Sequence, residues 1–238
     1  VSGAATLVLA LAAAVGFVQF YRPGTALGRT FGAKPVSVAA PSANAFGRSE
    51  EVKVLFTLKG DSVEFPLAVG GDPTGISYEW TSVRGNDVDF SRRPIAGSEL
   101  KTPDEAGFYY LTLVDKGERQ VVREPLVVVM RPFGEKEKDG TLNGYRIGTY
   151  LAEKMRGSRD KERPEGFLEV YPQYLDIAVS KHLRLHHFIT HDDQVDVWPK
   201  MVALNPRLLD KLELVFTELE RMNGSALPDL DVNSGYRT

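Results

Sequence analysis

Residues 107–130 read GFYYLTLVDKGERQVVREPLVVVM. They form two apolar, β-rich runs, 107–114 and 120–130, with Lys116-Gly117 between them. Such residues fit a pleated, half-buried surface. The same character extends upstream. Val52, Val54, Phe56 and Leu58 alternate with polar partners except at Leu55, and Val63, Phe65, Leu67 and Val69 alternate after a Lys59-Gly60-Asp61 turn. Ile76, Tyr78 and Trp80 follow the turn cluster GGDPTG. Short strands at intervals of about ten residues predict a β-sandwich over 51–132.

The whole chain has 238 residues, with 29 basic and 32 acidic side chains, a net charge of −3 and no cysteine. That length allows one to two domains with a real core. The charge balance excludes a nucleic-acid binder that works by bulk electrostatics. The lack of cysteine excludes a disulfide framework, a thiolate zinc site and a thiol nucleophile.

Residues 1–21 read VSGAATLVLALAAAVGFVQFY, with no charge before Arg22. As a helix this stretch spans about 30 Å, the thickness of a bilayer's hydrocarbon core. Phe17, Phe20 and Tyr21 crowd one end as an interfacial belt does, and Arg22 and Pro23 stop the helix. The expectation is a retained transmembrane helix over 1–22. A cleaved signal peptide is the competing reading, but its apolar region is shorter, at ~7–15 residues, and follows positive charge. Residues 23–50, rich in Pro, Gly, Ala and Ser, read as a tether. Residues 133–165 carry GEKEKDG and RGSRDKERPEG around LNGYRIGTYL and read as a charged connector, with Asn143-Gly144 as a tight turn between short strands.

The clearest helix is 206–222. Asn205 suits the N-cap, Pro206 the first helical position and Gly224 the end. Leu208, Leu209, Leu212, Val215, Phe216, Leu219 and Met222 share one face, while Asp210, Lys211, Glu213, Glu218 and Arg221 lie mainly outside it. That stripe needs a partner surface. His182/His186 and His187/His191 are each four apart, which on a helix is the geometry zinc sites use, and Asp192, Asp193 and Asp196 add oxygen donors. Against a metal site, the glutamate of an HExxH motif is missing, and Leu183, Leu185, Phe188 and Ile189 claim most sides of any such helix. A solvated histidine-rich turn with one or two packed imidazoles is the preferred reading.

Pro103-Asp104-Glu105-Ala106-Gly107-Phe108-Tyr109 resembles the tyrosine corner of the immunoglobulin-like fold, with Tyr109 as the corner residue and Trp80 where that fold keeps its core tryptophan. Leu67 and Leu111 stand near the positions of its two cysteines, so the resemblance implies apolar packing in place of the bridge. Asp231 to Thr238 (DVNSGYRT) looks like the S-G-Y-R-T segment of M15-family zinc D-Ala-D-Ala carboxypeptidases. NGYRIGTY (143–150), EGFLEV (165–170) and SKHLRLHHF (180–188) resemble the region preceding it. This second resemblance implies a catalytic role for Arg237, holding the substrate or its developing negative charge. The family's zinc ligands, two histidines and an aspartate, lie downstream of that motif, and the histidines at 182–191 precede it and do not match. The chain as given is therefore expected to hold no metal-ligating or cofactor-binding residues. Zinc enters only with a catalytic half beyond Thr238.

Together these readings predict a membrane-anchored multidomain chain: a transmembrane helix (1–22), a tether (23–50), an immunoglobulin-like β-sandwich (51–132), a charged connector (133–165) and a partial α+β peptidase-like region (166–238). The expected location is the bacterial inner membrane, single-pass, with the soluble part in the periplasm. The expected role is that of a non-catalytic structural subunit. Its partners would be other subunits of a membrane complex, a photosynthetic reaction-centre assembly being one candidate, met through the transmembrane helix and the sandwich. Peptidoglycan is a further expected partner and nucleic acid is not. The alternative is a membrane-tethered zinc D,D-carboxypeptidase acting on peptidoglycan.

Overall fold

The computed structural model describes residues 36–38, 51–69, 73–84, 91–150, 163–189 and 194–227. In chain order its strands are β1 (Val36–Val38), β2 (Val54–Leu58), β3 (Ser62–Glu64), β4 (Leu67–Val69), β5 (Ile76–Ser82), β6 (Arg93–Pro94), β7 (Glu99–Lys101), β8 (Gly107–Asp115), β9 (Glu118–Pro132), β10 (Thr141–Leu142), β11 (Tyr145–Arg146), β12 (Gly166–Val170) and β13 (Lys200–Val202). One α-helix, α1 (Pro206–Asn223), follows.

The second apolar run of the opening stretch lies in β9, a strand of 15 residues around which the main sheet is built. That sheet runs β13-β12-β9-β8-β5-β6, and β2 adds to β9 in parallel with Val54 opposite Leu126 and Leu58 opposite Met130. β8 and β9 pair antiparallel through a tight connection at Lys116-Gly117, with an irregularity between Tyr109 and Leu111. Three small antiparallel pairs, β3 with β7, β1 with β4 and β10 with β11, lie outside the main sheet. β1 falls within the stretch read as a tether.

Because successive strand residues point to opposite faces, the apolar run in β9 feeds two cores. Val127 and Val129 join Phe65, Trp80, Leu100, Leu111 and Leu113 in one cluster. Leu126, Val128 and Met130 join Phe108, Leu168, Val170, Leu183, Leu185, Leu209 and Phe216 in the other. In the first core Trp80 Nε1 donates to the Lys101 carbonyl at 2.8 Å, and Lys101 N–H donates to Tyr78 Oη at 2.9 Å. Both bonds tie β5 to β7. Tyr109 Oη donates to the Glu105 carbonyl at 3.1 Å, bracing the turn that opens β8.

The expected fold class needs correction. The described residues are mostly β with one helix at the C-terminal end, and no helix among them is long and apolar enough to cross a membrane. The helix expected over 1–22 lies outside the described residues. The region from 166 is not a separate α+β body either. β12 pairs with β9, Gly166 opposite Pro132 and Phe167 opposite Arg131, and β13 extends the sheet beyond it. Val52 also bridges to Ser180, with Lys53 N–H donating to the Val179 carbonyl at 3.0 Å. The physical reason is the second face of β9, whose apolar side chains are covered by residues 168–216. Part of the stretch read as a connector is packed as well. Phe133, Leu142, Tyr145 and Ile147 form a third cluster with Phe167 and Met201. Asn143 and Gly144, with φ of 53° and 78°, close the two-residue turn between β10 and β11.

α1 begins and ends where its caps place it. Asn205 Oδ1 accepts from Arg207 N–H at 2.9 Å, and Gly224 at φ 65° donates to the Glu220 carbonyl.

Candidate functional site

Where β5, the turn before β8, the end of β9 and β12 meet, they leave a cleft of about 600 Å³. Its lining includes Lys59, Arg84, Asp104, Glu105, Tyr109, Arg131, Asn143, Glu169, Tyr171 and Tyr174. Glu169 is the middle of this site. It sits in the apolar strand GFLEV, is 6 % exposed, and is held by Asn143 Nδ2 at 2.7 Å and Arg131 Nε at 3.3 Å. Arg131 Nη1 also donates to Glu135 Oε2 at 3.0 Å, and Lys59 pairs with the other oxygen of Glu135. Burial works against the charge on Arg131, yet Glu169 and Glu135 outweigh it and raise its pKa. On Glu135 burial is likewise outweighed by Lys59 and Arg131, and its pKa falls. Burial, followed by the Glu105 charge, pushes the Tyr109 hydroxyl well above the ordinary tyrosine range, so it remains a donor.

Arg84 forms the other wall. Its guanidinium carbon lies 4.1 Å from the centroid of the Tyr171 ring and 5.3 Å from that of Tyr174. Tyr174 is itself wedged against Phe108, 4.7 Å between centroids. With its amide oxygen turned to the guanidinium, Gln173 accepts from Nη2 at 3.0 Å and Nε at 3.1 Å. Among the described residues no carboxylate pairs with Arg84.

A second feature is the seat of α1. His182 donates its backbone N–H to Glu213 Oε1 at 3.0 Å, and its ring lies 2.7 Å from Glu213 Oε2 and 3.0 Å from Glu220 Oε1. Lys181 Nζ reaches the other oxygen of Glu220 at 2.8 Å, and the His182 ring meets Phe216 edge-on at 5.4 Å. Burial disfavours the imidazolium, but the bonds to Glu213 and Glu220 prevail and raise the His182 pKa above 6.5. Bonds from Lys181 and then His182 lower Glu220 from 4.5 to about 2. The two shifts act in opposite directions with pH. The raised histidine stabilises the seat fully below pH 6.5 and loses its contribution as pH climbs through the folded-state pKa. The depressed glutamate contributes above pH 4.5 and loses its contribution as pH falls toward 2. The seat is therefore expected to be firmest between these limits. Thermal unfolding across pH, with an NMR titration of the His182 ring, checks this. His182→Gln should flatten the alkaline limb and weaken the acid limb less, because Lys181 still holds Glu220.

The helix stripe read from sequence divides in two. Leu209 and Phe216 are buried in the second core with Leu212 beside them, and Glu213 is buried with them at 1 % exposure. Leu208, Val215, Leu219 and Met222 stay in solvent, Val215 at 54 % and Met222 at 69 %.

The histidines do not line one helix face. Residues Leu185–Phe188 form a 3-10 turn. His182 turns to α1, His186 Nδ1 lies 3.2 Å from the Leu175 carbonyl, and His187 Nδ1 accepts from Arg184 N–H at 3.0 Å. Among the described residues no three histidine, aspartate or glutamate side chains converge as a metal site would require. His191, Asp192, Asp193 and Arg237 lie outside the described residues. The cleft itself was missed from sequence. Its one visible signal was Glu169, a lone carboxylate inside an apolar strand, which calls for a buried cation. No family model matches this chain, and no curated protein matches it either.

Proposed function

We propose that this chain works by contact, as a periplasm-facing, non-catalytic accessory subunit of a bacterial membrane complex, with a photosynthetic assembly among the candidates. The observation that carries this reading is the solvent-facing part of the α1 stripe. Leu208, Val215, Leu219 and Met222 follow one another at helical spacing along one side of a helix whose opposite side is already anchored. Apolar surface left in water is worth about 25 cal/mol per Å² when a partner covers it. The resemblance of 231–238 to a family that works on peptidoglycan supports the periplasmic address. Val215→Glu combined with Met222→Glu places charge on that stripe without touching the core. Co-purification in mild detergent is expected to lose the partner subunits, while the melting temperature holds. Recovery of the unaltered chain from its native membranes as a lone monomer would overturn the reading.

A second reading rests on the S-G-Y-R-T string at 234–238. It makes the chain part of a zinc D,D-carboxypeptidase in which Arg237 steadies a carboxylate or an oxyanion and the metal is held by residues beyond Thr238. Release of the terminal residue from a peptidoglycan peptide by the complete gene product, abolished by chelation, would favour it over the first.

A further inference from the structure

We propose that the cleft beside Arg84 binds a zwitterionic ligand, a short peptide with a free carboxylate and an amine, with the carboxylate on Arg84 and the amine toward Asp104 and Glu105. This is independent of the α1 surface. The volume, about 600 Å³, falls in the range of small-ligand sites. The argument then rests on which charges are already used. Lys59 and Arg131 are neutralised by Glu135 and Glu169. Among the described residues Arg84 has no carboxylate partner, and Asp104 and Glu105, both exposed, have no cation partner. One open positive site and two open negative ones select a ligand that carries both signs. The two open carboxylates, Asp104 and Glu105, disfavour a dianionic phosphate over a ligand that also carries a positive charge.

Arg84 is also prepared for the task. The guanidinium lies over the Tyr171 ring, with Tyr174 standing edge-on to that ring at its side, and Gln173 occupies its Nε and one Nη2 hydrogen. The Tyr174 hydroxyl also reaches the guanidinium, and the donors that remain form a planar fork that matches a carboxylate.

The test uses the full chain and the tripeptide Lys-Ala-Ala, followed by NMR and calorimetry. The free acid is expected to bind and to shift the Arg84 Nε signal. Its C-terminal amide and the Arg84→Gln variant should each bind at least about tenfold more weakly. Arg84→Lys should recover little, because an ammonium keeps the charge but loses the stack and the paired donors. Asp104→Asn with Glu105→Gln should weaken the free acid and leave a peptide acetylated at both its α- and ε-amines unaffected. Equal affinity for acid and amide, undiminished binding to Arg84→Gln, or effective competition by inorganic phosphate would each overturn the proposal. The acid-against-amide comparison needs no variant, so a folding defect in Arg84→Gln leaves the test intact.

Discussion

Glu213→Ala is expected to destabilise the chain by about 3 kcal/mol, the usual result of breaking a buried ion pair from one side. The carboxylate is 1 % exposed and accepts two bonds from one residue, the backbone N–H and the ring of His182. Alanine removes both acceptors and leaves a part-buried amide N–H without its partner. Glu213→Gln should cost less, because its amide oxygen still accepts from that N–H. His182→Ala in the Glu213→Ala background should cost less than it does alone, since the two side chains share one interaction. Denaturant unfolding of the four proteins measures the coupling. A Glu213→Ala variant within 0.5 kcal/mol of the parent would show that α1 is held by its apolar contacts alone.

The second large effect is expected at Gly166, where β12 joins the sheet. A Cβ there would collide with the Arg131 carbonyl oxygen and lie 2.8 Å from Leu58 Cδ2 and 3.1 Å from Met130 Cβ. The first of these is backbone within a paired strand and cannot swing aside. Gly166→Ala should therefore force β12 away from β9, at about 1–3 kcal/mol for the overpacking. Gly97→Ala is the matching control. A Cβ at that position meets nothing within 4 Å, so the change is expected to be neutral or to stabilise by about 0.4–1 kcal/mol. Equal melting temperatures for the two variants would mean that the β9–β12 junction carries little of the stability.

How much of this was legible in the sequence differs from element to element. The strands from 54 to 82 follow, but for Leu55, an alternation that repeats every second residue, and the caps of α1 are local chemistry at Asn205 and Gly224. Both kinds of signal sit within a few residues of what they specify. The run Leu126-Val127-Val128-Val129-Met130 carries a further message. A strand apolar at successive positions is covered on both faces. What covers it cannot be read there, because the covering residues come from 168–216 and mostly lie in turns and isolated bridges that have no period. The same distance explains α1. Sequence places seven apolar residues on one face, but only the neighbours at 174–185 decide that Leu209 and Phe216 go inward while Val215 and Met222 do not. Glu213, placed by its charge outside the stripe, is drawn inward by His182. The cleft was least legible of all, since Arg84, Glu105, Arg131 and Glu169 arrive from separate stretches.

Because β9 is shared, the tidy boundary suggested near residue 132 is a poor place to cut. A fragment ending there would keep Phe108, Leu126, Val128 and Met130 but lose the cover that 168–216 provides. It would also lose the strand that pairs with Arg131 and Pro132. Such a piece would display a greasy flank beside open backbone donors and acceptors, the combination that seeds edge-to-edge clumping. Soluble expression would call for carrying the chain through residue 227.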